Sequence, residues 1–370
     1  MRTQPNLLAL IALTIGCTQP ARDDAELGGP PSIHEESDTD DLDDKETGPE
    51  GNDAAGADGN EEVDTNADAD SETDVESETQ TDDEHPSGFT RVGSIDEACD
   101  ALGPGYGSAT DDAVEAIDRT NCYRNLMGLS RGMLDPDLDA ASQMHADYMD
   151  RHDTLTHWED PSRPLYTGEW VWDRMEAAGY PVAPGQSWSE VVASGTTPAE
   201  AVDLWIGSVY HRIPFTMPYW LDAGFGQTGD FSSMSFVTPF PDGPRTAVMF
   251  PADGQDEVPT SFNSDTEVPD PAPSHGVVGY PVTVTAVASS VGSDWSNPYN
   301  VELVDAELVG PNGDLVDCLL SDPSTDDHLY VMATMLPVSP LQSESVYTAT
   351  MTVRWGGSEE TFVATFRTAR

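Results

Sequence analysis

Positive charge is what this 370-residue chain has least of. It carries one lysine, Lys45, and 15 basic residues in all against 68 acidic ones, for a formal net charge of −53. Such a surface repels nucleic acid and anionic lipid headgroups, so no nucleic-acid partner is expected. Between residues 18 and 86 stand 26 of the acidic residues with only Arg22 and Lys45 beside them. The remaining 13 basic and 42 acidic residues still leave −29, so the folded part is acidic too. Cysteine is also scarce: Cys17, Cys99, Cys122 and Cys318 form no CxxC pair and no Cys/His cluster, which argues against a structural zinc site. No run of 18 consecutive apolar residues is present, so no membrane-spanning helix is expected. There is no GxSxG elbow, no HExxH helix and no phosphate-cradling glycine loop, the motifs of several large enzyme classes.

What the N-terminus does contain is Arg2, an apolar run from Leu7 to Ile15, and "LTIGC". This resembles a bacterial lipoprotein signal, in which the cysteine is lipidated after cleavage. Thr14 stands where that pattern has leucine. The expectation is a signal peptide over 1–17 and attachment to the cell envelope membrane through lipidated Cys17, with plain secretion as the other extracytoplasmic outcome. Residues 18–88 hold almost no large apolar side chains and cannot offset chain entropy by burial. They read as a disordered acidic tether spanning on the order of 45–50 Å.

Order is expected from Phe89. Thr110 can cap a first helix, with Asp111 and Asp112 in its opening turn. Asp135 followed by Pro136 opens a second, which carries His145 on its apolar stripe as an ordinary helix-face histidine. Thr197, Pro198 and Glu200 fit a capping box, which accounts for Glu200 without catalysis. The stretch 256–278, rich in Pro, Asp and Ser, reads as an extended linker. From 279 to 370 the period becomes two, as in "VYTATMTVRW", and short strands suggest a small immunoglobulin-like β-sandwich. Cys99 and Cys122 flank one short segment and are the expected disulfide; Cys318 is left over, buried in a strand as a small hydrophobe.

The succession "NCYRNLMGL", "LDPDLDAASQMHADYM", "LTHWEDPSRP", "DRMEAAGY", "SEVVASG", "TTPAEAVDLWIGSVYHR" and "DAGFG" resembles a CAP domain. That superfamily takes in the cysteine-rich secretory proteins, antigen 5 and the plant pathogenesis-related proteins. The resemblance covers roughly residues 110–255 and gives a domain over 89–255. It implies an α/β/α three-layer sandwich with a cleft that gathers two His and, in many members, two Glu. By position the histidines are His157 and His211, and one glutamate is Glu190. The second glutamate of the family usually sits three residues after the helix tryptophan, here Trp205, and that place holds Ser208.

Two neutral imidazoles suit a borderline cation such as zinc, so His157 and His211 are the candidate metal ligands. A nearby carboxylate could take a proton from bound water or fix one imidazole's tautomer, which makes His157, Glu190 and His211 the catalytic candidates of a metal-assisted hydrolase. Without a second carboxylate, charge compensation and the acid/base pair are both weakened. The favoured expectation is therefore a binding or surface-interaction module for a lipid, glycan or protein, with no cofactor required. A hydrolase and a purely structural envelope protein are the rivals. Asp173 and Arg174 read as an exposed pair at a helix start with no chemistry. The aromatic residues between Trp158 and Trp188 read mainly as core.

Overall fold

The helices of the first half begin where short polar side chains replace missing backbone partners. The computed structural model describes residues 10–16, 89–102, 110–183, 186–219, 221–239, 245–288 and 301–370; Cys17 and the acidic stretch 18–88 lie outside them. Helix α1 (Ile95–Leu102) is joined by the Cys99–Cys122 disulfide to α2 (Asp111–Leu126). The Thr110 hydroxyl accepts the Ala113 N–H at 3.1 Å to start α2. In α3 (Pro136–His152) the Asp135 carboxylate accepts from Asp137 and Leu138, with Pro136 in the first helical position. Helix α4 (Val171–Ala178) follows, and α5 (Pro198–Gly207) opens with the capping box of Thr197 and Glu200. A single turn, α6 (Ile213–Thr216), comes next.

These helices cover both faces of one sheet. Its strands are β1 (Leu10–Gly16), β2 (Met133–Leu134), β3 (Gln186–Ser194), β4 (Asp222–Thr228) and β5 (Phe231–Pro239), in the order β1-β3-β5-β4-β2. Strand β1 lies within the segment expected as a signal, antiparallel to β3. Side chains on successive strand positions go to opposite faces. Val191 and Ala193 of β3 therefore join Ile117 of α2 and Trp205 of α5 in one cluster. Val237 of β5 joins Leu138 and Ala141 of α3 and Met175 of α4 in another. Helix α3 comes so close to β4 that a Cβ at Gly224 would lie 2.0 Å from the Leu138 carbonyl carbon, which only glycine avoids.

The C-terminal region is rich in antiparallel strands: β6 (Thr246–Phe250), β7 (Ser261–Asn263), β8 (Val277–Gly279), β9 (Val282–Val287), β10 (Glu302–Val309), β11 (Cys318–Ser321), β12 (Met332–Pro337), β13 (Val346–Trp355) and β14 (Ser358–Arg367). They form sheets ordered β10-β13-β14, β11-β12-β9-β6 and β7-β8. The period-two reading of β13 agrees with its burial: Tyr347, Ala349, Met351, Val353 and Trp355 are all in the core. Gly356 and Gly357, both at positive φ, turn the chain into β14. Cys318 opens β11 with a free, half-buried thiol, which burial and then Asp317 push up to about 12.

Two features differ from the sequence expectation. Strand β6 falls inside the stretch 89–255 yet pairs with β9 of the C-terminal region. The stretch 256–278 is packed rather than extended: it contains β7, most of β8 and a 3-10 turn at Ser264–Thr266, and it buries Val258, Ser264, Glu267 and Ala272. Its apolar anchors are single and aperiodic, so its composition reads as loop. One apolar cluster runs from Trp205 through Phe250 and Tyr280 to Trp355, and all described residues belong to one compact unit.

Candidate functional site: a buried histidine–carboxylate network

Strand β3 delivers Glu190 into the interior, and the loop after α3 brings His157 to it. The His157 Nδ1 lies 3.0 Å from the Glu190 Oε1. The other carboxylate oxygen accepts from the Arg174 Nη2 at 2.6 Å and from the Ser233 hydroxyl at 3.3 Å. Arg174, from α4, also donates to the His157 carbonyl at 3.2 Å, so one guanidinium fixes both partners. This corrects the expectation of an exposed Asp173–Arg174 pair: Arg174 is only 1% exposed. Asp173 does what a first-turn acid does and accepts the Trp170 N–H. Nothing in the local pattern marks Arg174 as inward-facing, because its partner sits 16 residues away on a strand.

The charge states follow from this packing. Burial alone would raise the Glu190 carboxyl, but Arg174, His145 and His157 outweigh it and hold the group well below the usual carboxylate range. Burial depresses His157, more than the Glu190 hydrogen bond restores, and charge on His211 or His145 would depress it further. His157 is therefore neutral beside an ionised Glu190. With a carboxylate facing Nδ1, that nitrogen carries the proton.

His145 of α3 is not a plain helix-face residue. It is fully buried, with Nδ1 2.9 Å from the Glu159 Oε1 and Nε2 2.7 Å from the Thr156 carbonyl. Both nitrogens face oxygen atoms of the fold. Glu159 in turn accepts the Thr167 N–H at 2.7 Å, which pins the loop after His157. The aromatic residues there divide: Trp172 and Trp188 pack against the second core cluster, while Trp158 is 54% exposed.

The second candidate histidine has a partner the sequence reading did not identify. His211 follows α5 and is fully buried, with Nδ1 2.7 Å from the Glu267 Oε1. The same carboxylate accepts the N–H groups of Val209 (2.9 Å), Tyr210 (2.7 Å) and His211 (3.1 Å). Ser208 donates to the Trp205 carbonyl at 2.7 Å, and its oxygen lies 3.3 Å from the His211 Nδ1. A carboxylate thus does reach His211, from 56 residues downstream and not from position 208. No local signal separates Glu267 from Glu257 or Asp270, its neighbours in the same polar stretch. Arg212 completes the join: it lies between the rings of Phe250 and Tyr280 and donates to the carbonyls of Ile206 and Pro281, each at 2.7 Å.

The set is rich in orientation and poor in spare ligands. Both histidines meet a carboxylate through Nδ1, so any metal would use Nε2 of each. Glu190 is already committed to Arg174 and His157, and Glu267 to His211 and three N–H groups. A catalytic zinc takes three protein ligands. Among the described residues, the group that brings three candidate ligand atoms within 4.8 Å of one another is Asp326, Asp327 and His328. His157, Glu190 and His211 are not such a group.

Residues 117–215 match the family model CAP, the cysteine-rich secretory protein family. The matched stretch takes in His157, Arg174, Glu190, Ser208 and His211, and ends before Glu267. Among solved structures the chain is similar to an extracellular protein containing a SCP domain from Bacillus anthracis str. Ames. The two are 18% identical with a TM-score of 0.30, over 36% of this chain and 45% of that one. The chain thus spans under half the length of that protein. No curated protein matches the chain.

Proposed function

We propose, with residues 117–215 as a CAP domain of the cysteine-rich secretory protein family, that this chain is an extracytoplasmic binding or surface-interaction module. The observation that carries the reading is the commitment of the site's carboxylates. Glu190 and Glu267 are buried, and each is spent on a histidine and further donors of the fold. A general base needs a lone pair within reach of substrate. His157, the most exposed of the four expected cleft residues, shows only 7% of its surface. Such a network ties elements together more readily than it turns over substrate. The ligand is a lipid, glycan or protein, and no cofactor is required. No described helix is long and apolar enough to cross a membrane. We assign attachment to lipidated Cys17, with 18–88 as the tether that holds the folded part clear of the surface; cleavage before Cys17 takes β1 out of the mature protein and leaves β3 as the edge of the sheet. The two larger C-terminal sheets share one apolar cluster, which supports an immunoglobulin-like sandwich as their fold.

The test is metal analysis of the purified protein together with a peptidase assay and the His157→Ala/His211→Ala double variant. The reading predicts no stoichiometric zinc, no histidine-dependent hydrolysis, and ligand capture that survives a chelator. One zinc per chain, lost with hydrolysis in the double variant, would establish the hydrolase instead. For the anchor, Cys17→Ser releases the protein from membranes; a protein found in the soluble fraction with or without the substitution contradicts it.

A further inference from the structure

We propose that Glu267 is a positioning residue of the histidine site: it fixes His211 in the Nδ1–H tautomer, as Glu190 fixes His157. The packed stretch 256–278 is thereby a working part of that site. This rests on hydrogen bonding alone and stands apart from the identity of any ligand.

The geometry singles out Glu267 in three ways. Its Oε1 is 2.7 Å from the His211 Nδ1, a charge-assisted length, inside a site with no measurable exposure of either side chain. The same oxygen collects the N–H groups of Tyr210 and His211 and the other takes that of Val209, so the carboxylate cannot rotate away without stranding buried donors. Finally, the backbone behind Glu267 is held: Glu267 N–H bonds the Ser264 carbonyl, Ser264 bonds the Gly276 carbonyl, and β7 pairs with β8. A carboxylate facing a ring nitrogen accepts only, so that nitrogen must carry the proton. The two couples then match: two imidazoles, each protonated at Nδ1 and each oriented by a buried glutamate. One glutamate comes from β3, within the family-matched stretch, and the other from beyond it.

The alternative is that Glu267 only closes the turn at Val209–His211. Nitrogen-15 NMR of the histidine side chains separates the two. In the unsubstituted full-length protein, His211 should show a protonated Nδ1. Glu267→Ala removes the acceptor that faces Nδ1, so His211 should change to the Nε2–H tautomer that a neutral imidazole favours without such a partner. His157 should keep its own tautomer in the same sample. Because Ser208 already lies 3.3 Å from the His211 Nδ1, Ser208→Glu added to Glu267→Ala should restore the Nδ1–H form. A folded Glu267→Ala protein whose His211 still carries its proton on Nδ1 overturns the proposal. If Glu267→Ala does not fold, the unsubstituted protein decides: an Nε2–H ring at His211 overturns the proposal, and an Nδ1–H ring upholds it.

Discussion

His157 and His211 are held by the same device from different parts of the molecule. Each meets a buried carboxylate through Nδ1, at 3.0 and 2.7 Å. Glu190 lies 33 residues after His157, inside the family-matched stretch, and draws its charge balance from Arg174 in the same stretch. Glu267 lies 56 residues after His211, outside it, and draws its support from backbone N–H groups. The first couple can be built by one sheet and its helices. The second exists only where the chain beyond residue 255 packs back onto the turn after α5. His211 thus meets a carboxylate although position 208 holds a serine.

The comparison can be broken from either side. The largest effect is expected at Arg174, where Arg174→Met leaves Glu190 and Glu159 buried without their shared cation. Stability should fall by about 3–5 kcal/mol, read from urea unfolding midpoints. A loss below about 1 kcal/mol would show that Glu190 does not depend on Arg174. Next is Glu267→Ala, which strands the N–H groups of Val209, Tyr210 and His211 and should cost about 3 kcal/mol in the same measurement. An equal cost for Glu257→Ala would remove the special place given to Glu267.

Acid should weaken the first couple in two steps. The folded-state value of His157 is depressed, so the unfolded ring takes up a proton first, and stability falls as pH drops below about 6.5. Glu190 is also depressed, so its contribution is fully present above about 4.5 and is lost as pH falls further. Unfolding midpoints followed from pH 7 to 4 should show both declines, and His157→Gln should flatten only the upper one. A curve unchanged by His157→Gln would contradict the neutral, buried ring. The smallest effect belongs to Trp158, next to His157 yet 54% exposed: Trp158→Ser should leave stability within about 0.5 kcal/mol. A larger loss would place this ring in the packing.

What was legible in the sequence was local. The helix starts at Thr110, Asp135 and Thr197 are set by side chains that reach only two or three residues, and the alternation of β13 is written in consecutive positions. His157, Glu190 and His211 came from an ordered series of short motifs, and the structure brings the first two into direct contact. Arg174, Glu159 and Glu267 were not legible as site residues. Each is one charge among many in an acidic chain, and its role is fixed by a partner on another element. The join between the two regions escaped for the same reason. Strand β6 and the stretch 256–278 are short or aperiodic, and only long-range pairing shows where they belong.

The most direct measurement is a double-mutant cycle between His211→Ala and Glu267→Ala, read from unfolding free energies. If Glu267 and His211 form one unit across the two regions, the losses should fall short of additivity by about 1–3 kcal/mol. Losses that add to within about 0.5 kcal/mol would show that the two residues act independently, and that the histidine site ends with the family-matched stretch.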